Sequence, residues 1–225
     1  MCGRIGFSIP RDELLASYSW IRHAEDQPAR YNIAPTDPVL VVGPERTDVV
    51  RWGIDGRSGG LFNLRAETAT ARPYYQQLLL RARVLVPASH FYEWRAIGGR
   101  RAPVAVARAD GRPLNLAGLL GRWEDRAAVT ILTTTPNADL ASLHNRMPVV
   151  LNDDDAATWV LEELSLSQIG GFLKPCPDGW LRLESASLLL NDVRNQGAEL
   201  LDPATLPAQF QLDLILPERD PYSRQ

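Results

Sequence analysis

Runs and alternations of apolar residues divide this chain into many short strands with a few amphipathic stretches between them. Arg4 to Ser8 reads as a short strand, and Pro10 and Arg11 lead into a helix over Asp12 to Tyr18. A polar, irregular stretch follows and ends in Tyr31-Asn32-Ile33-Ala34-Pro35-Thr36. Val39 to Val42 is a continuous apolar run, the signature of a buried strand, and Val49 to Trp52 reads as its partner across a turn near Pro44-Glu45-Arg46. Glycines with Asp55 and Ser58 make Gly53 to Gly60 a loop. Leu61 to Thr68 begins as a strand and leads into a helix near Pro73 to Arg81, with Pro73 in the first turn. Strands follow at Arg83 to Pro87, Val104 to Ala107, Leu114 to Leu120 and Ala128 to Thr134. Thr135-Pro136 reads as an N-cap and first helical position, with a short helix running to about Leu143. Val149 to Leu151 returns to strand. Asn152 caps a helix with Asp153, Asp154 and Asp155 in its first turn, where the helix dipole favours anions, and Trp159, Val160 and Leu164 on its buried side. Leu181 to Leu190 supplies late strand material. Strands and helices mix without a regular βαβ rhythm, so the pattern predicts an α+β fold with mainly antiparallel sheet.

Length and composition narrow the picture. The chain's 225 residues, 45% of them hydrophobic, suit a single domain with a sizeable core over 1–216, and Pro217 to Gln225 reads as a frayed polar tail. No apolar run is long enough to span a bilayer and no signal-peptide pattern opens the chain, so a cytoplasmic protein without membrane contact is expected. The two cysteines, Cys2 and Cys176, make no CxxC pair; with three histidines, no metal site and no cofactor are expected. A net charge of −3 argues against non-specific coating of nucleic acid, although a local cationic groove needs only a few arginines. Lys174 is the only lysine. If the protein forms a Schiff base, its α-amine is therefore a stronger candidate than any side-chain amine.

Chemistry enters at Cys2. A start methionine followed by so small a residue is usually trimmed. Trimming leaves an α-amine, with an ordinary pKa of about 7.7–8.0, beside a thiol. That 1,2-aminothiol can condense with an aldehyde as a Schiff base, and the sulfur can then close a five-membered thiazolidine. The competing reading is a small buried hydrophobe at a chain end. Asn63 and Arg65, two apart on a strand, share a face suited to an anionic or carbonyl ligand, or else mark a capped turn with a solvated arginine. Glu93, within Phe91-Tyr92-Glu93-Trp94, suits general acid or base work if it points inward, and nothing if alternation turns it to water. His144 is a candidate proton shuttle or a structural histidine.

Taken in order, Met1-Cys2-Gly3-Arg4, Tyr31-Asn32-Ile33-Ala34-Pro35-Thr36, Arg51-Trp52-Gly53, Asn63-Leu64-Arg65-Ala66-Glu67-Thr68, Phe91-Tyr92-Glu93-Trp94 and His144-Asn145-Arg146-Met147-Pro148 closely resemble the SOS response-associated peptidase (SRAP) family of abasic-site processing proteins. The resemblance runs from Cys2 to about Asp202. It implies a barrel-like core of antiparallel sheets with flanking helices. It implies capture of the ring-opened sugar of an abasic site in single-stranded DNA, at times beside a duplex junction, as a thiazolidine on Cys2. Glu93 would help open the sugar and shuttle protons, His144 would act as acid or base in Schiff-base formation and reversal, and Asn63 would hold amine and sugar. Arg4, Arg65 and Arg146 would bind phosphate, Trp52 would stack on bases, and Pro35 and Thr134 would complete the DNA-binding set. The peptidase label refers to self-removal of Met1. The resemblance also implies a side activity as an abasic-site lyase, a monomer, and association with the nucleoid when DNA is bound.

Some positions depart from the family pattern. Ile54 follows Arg51-Trp52-Gly53 where leucine is usual, and the segment Asp55 to Gly60 is shortened. Leu64 replaces a common alanine. His90 stands where glycine is usual and is expected to crowd Glu93 or add a second titrating group. Two rival functions use the same residues: an N-terminal-nucleophile glutamine amidotransferase, in which Cys2 attacks an amide, and a non-enzymatic single-strand binder in which Cys2 is structural.

Overall fold

The structure is a computed structural model that describes residues 2–24, 26–56, 59–97 and 100–203. The tail expected at Pro217 to Gln225 lies outside the described residues. In chain order, β1 (Ile5–Phe7) and α1 (Arg11–Ser17) lead to β2 (Arg30–Ile33), β3 (Pro38–Val42) and β4 (Thr47–Trp52). Then come β5 (Ile54–Gly56), β6 (Gly59–Leu61), β7 (Asn63–Arg65), α2 (Ala66–Ala71) and α3 (Pro73–Arg81). The central strands are β8 (Arg83–Ala88), β9 (His90–Ile97), β10 (Arg100–Arg108), β11 (Leu114–Trp123) and β12 (Arg126–Thr134). The last part holds α4 (Ala138–Ala141), β13 (Met147–Pro148), β14 (Val150–Leu151), α5 (Asp153–Leu161), α6 (Leu166–Gly170) and β15 (Leu181–Ser185). Two 3-10 turns, Leu188–Asn191 and Ala198–Leu201, finish the described chain.

The pairing makes an α+β fold around a closed barrel. β12 pairs with both β4 and β11, so the path β12-β4-β3-β8-β11 returns to its first strand. Closure leaves these five strands without a free edge within the ring. Its pairs are antiparallel except β12 with β4. β7 continues along β12 in parallel, Leu64 opposite Leu132, as an extension beyond β4. The apolar run at Val39 to Val42 is buried throughout, as expected of a strand covered on both faces. A second sheet, in the order β15-β10-β9-β1-β2, packs beside the barrel. The main core includes Ile5, Phe91, Trp52, Val86, Leu116 and Ile131, contributed by both sheets.

Several expectations change. The end of the polar stretch, Arg30–Ile33, is strand β2, which pairs with β1 through Ile5 and Ile33. The loop expected at Gly53 to Gly60 contains a short hairpin, β5 with β6, Asp55 facing Gly60. Gly53 has φ of +122°, a left-handed conformation that glycine adopts without steric cost, and this allows the chain to turn out of β4 into the hairpin. The helix expected after Thr135-Pro136 is capped instead by Asn137, whose side chain accepts from Leu140 N, and it ends at Ala141. The helix at Leu166–Gly170 has a complete capping box, Ser165 with Gln168; its short apolar pattern was too weak to read. Leu181 to Leu190 is strand only to Ser185 before it tightens into the first 3-10 turn. Asn152 caps its helix as expected, accepting from Asp155 N at 2.7 Å. Asp153 also takes Arg108 at 2.7 Å, and Arg108 in turn binds Asp110 at 2.7 Å. This buried arginine ties the helix start to the β10–β11 turn. Among the described residues no helix is long and apolar enough to cross a membrane.

Candidate functional site

The two sheets meet where the chain begins. β1 lies antiparallel to β9, with Ile5 opposite Phe91, and Tyr92 N donates to Arg4 O at 3.0 Å. This register carries Phe91 to Glu93 alongside the residues that follow Cys2. Alternation along β9 decides the fate of Glu93. Phe91 and Glu93 share the face turned into the main core, and Glu93 is 2% exposed. Cys2 is fully buried on that side. Burial, and next the charge of Glu93, push the Cys2 thiol far above its ordinary pKa; a backbone hydrogen bond from Arg4 acts the other way. From the barrel, β7 presents Asn63, whose Nδ2 donates to Cys2 O at 2.8 Å. Asn63 Oδ1 is buried and has no hydrogen-bond partner among the described residues. The structure therefore brings Cys2, Glu93 and Asn63 together from distant points in the chain.

His144 follows α4 and is half-buried. Its Nδ1 stands 2.9 Å from Arg146 N and 3.1 Å from Arg146 O, so the Arg146 backbone can receive or supply a hydrogen bond at that nitrogen according to the ring tautomer. Arg146 does not face solvent freely. Its Nη1 and Nη2 form a fork on the two oxygens of Glu67 at 2.7 and 3.0 Å, and Nη2 also donates to Thr133 O at 2.6 Å. Arg65 is exposed on the neighbouring strand end. Arg4 is half-buried, and its Nη1 donates to Asn32 Oδ1 at 2.5 Å and Leu190 O at 3.1 Å. Its guanidinium also stands 5.7 Å from the ring centre of Trp94. Gly3, Arg4, Trp94, Arg101 and Asn191 line an open cleft of about 270 Å³ beside the chain start. Pro35 is half-buried next to Thr36, a β-branched residue held at φ of +83°. Among the described residues no group of histidine, cysteine and carboxylate side chains is arranged to hold a metal ion.

Three expected roles are corrected. Trp52 is not a stacking surface: it is 0% exposed inside the barrel, and its indole N–H donates to Phe62 O at 3.0 Å. The apolar alternation of β4 places it there, with Val50 on the same inner face. Thr134 is also buried, and its hydroxyl donates to Leu173 O at 3.2 Å. His90 does not crowd Glu93. The odd spacing puts it on the opposite face of β9, over Gly6, with Tyr92 at 4.8 Å and Tyr31 at 6.3 Å between ring centres. Sequence reasoning missed Asn32, which is fully buried and donates through Nδ2 to Asp192 O and Asn195 O, each at 3.0 Å. It also assigned no role to Trp94, Arg101 or Glu67. Trp94 and Glu67 lay within recognised motifs, whereas Asn32 gave no signal beyond its place in one.

The buried His90 has a measurable consequence. Burial drives its pKa down to about 4, against the opposing effect of a hydrogen bond that the ring donates to the Tyr31 backbone. The unfolded chain takes up this proton near pH ~6.5 and the folded chain only near the lower value. Stability from neutral burial is therefore full above the higher pH and declines as pH falls through the window, by up to about 3 kcal/mol. Urea unfolding at pH 7.5 and pH 5 should show this loss in the wild type and much less in His90→Phe. Equal losses in both proteins would remove His90 as the cause.

Comparison with known proteins gives consistent kinship. The profile of the family described as SOS response associated peptidase (SRAP) matches residues 1–193. The abasic site processing protein YoaM of Bacillus subtilis is 29% identical, covering 90% of this chain and 98% of its own. The abasic site processing protein YedK of Escherichia coli is 28% identical over 90% of this chain and all of its own (100%). The abasic site processing protein HMCES of Gallus gallus is 26% identical over 92% of this chain and 79% of its own. A solved protein of Bacteroides thetaiotaomicron superposes with a TM-score of 0.77 at 19% identity, covering 89% of this chain and 99% of its own. One from Bordetella bronchiseptica gives 0.71 at 21% identity, covering 83% and 100%. The solved structures attest the fold.

Proposed function

The chain belongs to the SOS response associated peptidase (SRAP) family, and from that premise we propose that it processes abasic sites in single-stranded DNA by covalent capture on Cys2. The observation that carries this reading is the junction at the chain start: Asn63 holds the Cys2 carbonyl, and the buried Glu93 is near enough for its charge to act on the thiol pKa. The abasic site processing names of its relatives support the same substrate.

Removal of Met1 frees the α-amine of Cys2. The ring-opened sugar presents an aldehyde, whose carbon the amine attacks. Loss of one water gives the Schiff base, and addition of the thiol across the C=N bond closes the thiazolidine. The sulfur forms a bond to the sugar carbon, its proton leaves, and the imine nitrogen gains one. A thiol held well above its ordinary pKa needs a base at that step, and the role is assigned to Glu93, whose charge the thiol feels. Asn63 Oδ1, buried and unpartnered among the described residues, suits an N–H of the free amine. His144, half-buried and held by the Arg146 backbone through Nδ1, is the group assigned to carbinolamine dehydration and to reversal. The Schiff base also permits β-elimination, so weak lyase activity accompanies capture. The protein acts as a cytoplasmic monomer without a cofactor.

Exposed Arg65 is assigned to a phosphate beside the lesion. Arg65→Ala should weaken binding of single-stranded DNA and reduce the slope of log affinity against log salt by about 0.7. An unchanged slope would move that contact elsewhere. The test of the whole reading is a denaturing gel of the purified protein with single-stranded DNA carrying one abasic site, read beside the protein's intact mass. A heat-stable shifted band from protein lacking Met1 supports it. The absence of any band with Cys2 exposed overturns it.

A further inference from the structure

The guanidinium of Arg146 is committed to the protein. Both oxygens of Glu67 and the carbonyl of Thr133 occupy its fork, and its side chain is only 11% exposed against 59% for Glu67. The backbone of Arg146 meanwhile offers His144 two choices. Its N–H stands 2.9 Å from Nδ1 and can donate to it, and its carbonyl stands 3.1 Å from the same atom and can accept from it. The first contact selects the ring with its proton on Nε2, and the second selects the opposite tautomer. The orientations of the two peptide groups flanking Arg146 decide between them. The Arg146 side chain that anchors this corner is held by both Glu67 oxygens and by the Thr133 carbonyl.

Glu67 is four residues beyond Asn63 on a continuous piece of backbone. β7 is locked to β12 through Asn63, Leu64 and Arg65, and α2 starts at the next residue. One end of this segment binds the Cys2 carbonyl and the other binds Arg146. We propose that Glu67 is a positioning residue: acting through Arg146, it holds the His144 imidazole in the Nε2–H tautomer and at a set place relative to Cys2. The proposal rests on the reading of His144 as the acid–base group of aldehyde capture. An ion pair with so exposed a carboxylate adds little stability by itself, so the effect expected is on geometry.

The rival account is that Glu67 merely keeps phosphate away from Arg146. The two accounts predict opposite results. For a positioning residue, Glu67→Gln should slow adduct formation about tenfold with nearly unchanged affinity for unmodified single-stranded DNA. Glu67→Asp, which keeps the charge, should recover part of that rate. The loss should disappear when Glu67→Gln is combined with His144→Ala, because both changes break one chain of contacts. A competitor would instead give tighter DNA binding with an unaltered rate, and that result overturns the proposal, as does a loss that persists in full in the His144→Ala background. The ¹⁵N shifts of the His144 ring give a readout independent of activity. One Nε2–H tautomer is expected in the wild type and a mixture in Glu67→Gln; a single tautomer in both overturns the coupling. If the wild type forms no adduct at all, the proposed function fails while the ring shifts still decide the role of Glu67. Thermal unfolding of Glu67→Gln identifies a folding defect, and in that case Glu67→Asp carries the comparison.

Discussion

Cys2→Ala should form no heat-stable adduct with abasic single-stranded DNA, a loss on the order of 10³-fold or more in captured DNA. The reason is specific to the ring. After Met1 is removed, the alanine of this variant still carries an α-amine and can still condense with the aldehyde. What it lacks is the sulfur that converts a reversible imine into a five-membered ring. The variant should therefore lose the band that survives heating and keep a band when borohydride reduces the imine. Residual β-elimination should persist, since that step uses the imine alone. Cys2 packs in the core without a disulfide, and replacing its sulfur by hydrogen removes little volume, so the fold should tolerate the change. A heat-stable adduct formed by Cys2→Ala would assign capture to another group and end the thiazolidine reading.

Glu93→Gln should slow adduct formation by about 10² to 10⁴-fold, with little change in DNA affinity. Here the electrostatics give a test of sign. The charge of Glu93 is the second cause, after burial, that raises the Cys2 pKa. Removing that charge lowers the thiol pKa and yields more thiolate. If Glu93 only tuned the sulfur, capture by Glu93→Gln would be faster. If Glu93 moves protons during ring opening and thiol addition, capture is slower despite the better nucleophile. Single-turnover kinetics with saturating protein separate these outcomes, and a rate equal to or above wild type removes the acid–base role. Glutamine keeps the shape of the buried side chain, so the comparison is free of a cavity.

Much of the fold was legible in order along the chain. The run at Val39 to Val42, the β-branched stretch of Ala128 to Thr134 and the Asn152 cap all correspond to elements of the structure. These are local signals: burial on two faces, β-branching, and a side chain that satisfies its own helix end. The weak points were also local. The hairpin after Gly53 and the strand at Arg30–Ile33 carry polar or glycine-rich residues; the hairpin is held by its own cross-strand pairing, and the strand by β1, far back in the chain. For Arg30–Ile33 the extended state follows from tertiary hydrogen bonds that override propensity.

The candidate site divides the same way. The motifs identified Cys2, Asn63, Glu93 and His144 as residue types suited to aldehyde chemistry. Whether each faced inward could not be read from them. Glu93 faces inward because β1 pins the register of β9, and the same register sends His90 to the far side. Trp52 had the composition of a base-stacking residue, yet barrel closure between β4 and β12 seals it inside. Arg146 had the charge of a phosphate ligand, yet α2 delivers Glu67 to its fork. The sequence by itself determined the reactive groups, the α+β class and the local caps, because these depend on side-chain chemistry and short-range periodicity. Only the tertiary structure decided which side chains meet, which are sealed and which cations reach solvent. A one-residue change of strand register reverses every facing, and long-range closure sets that register.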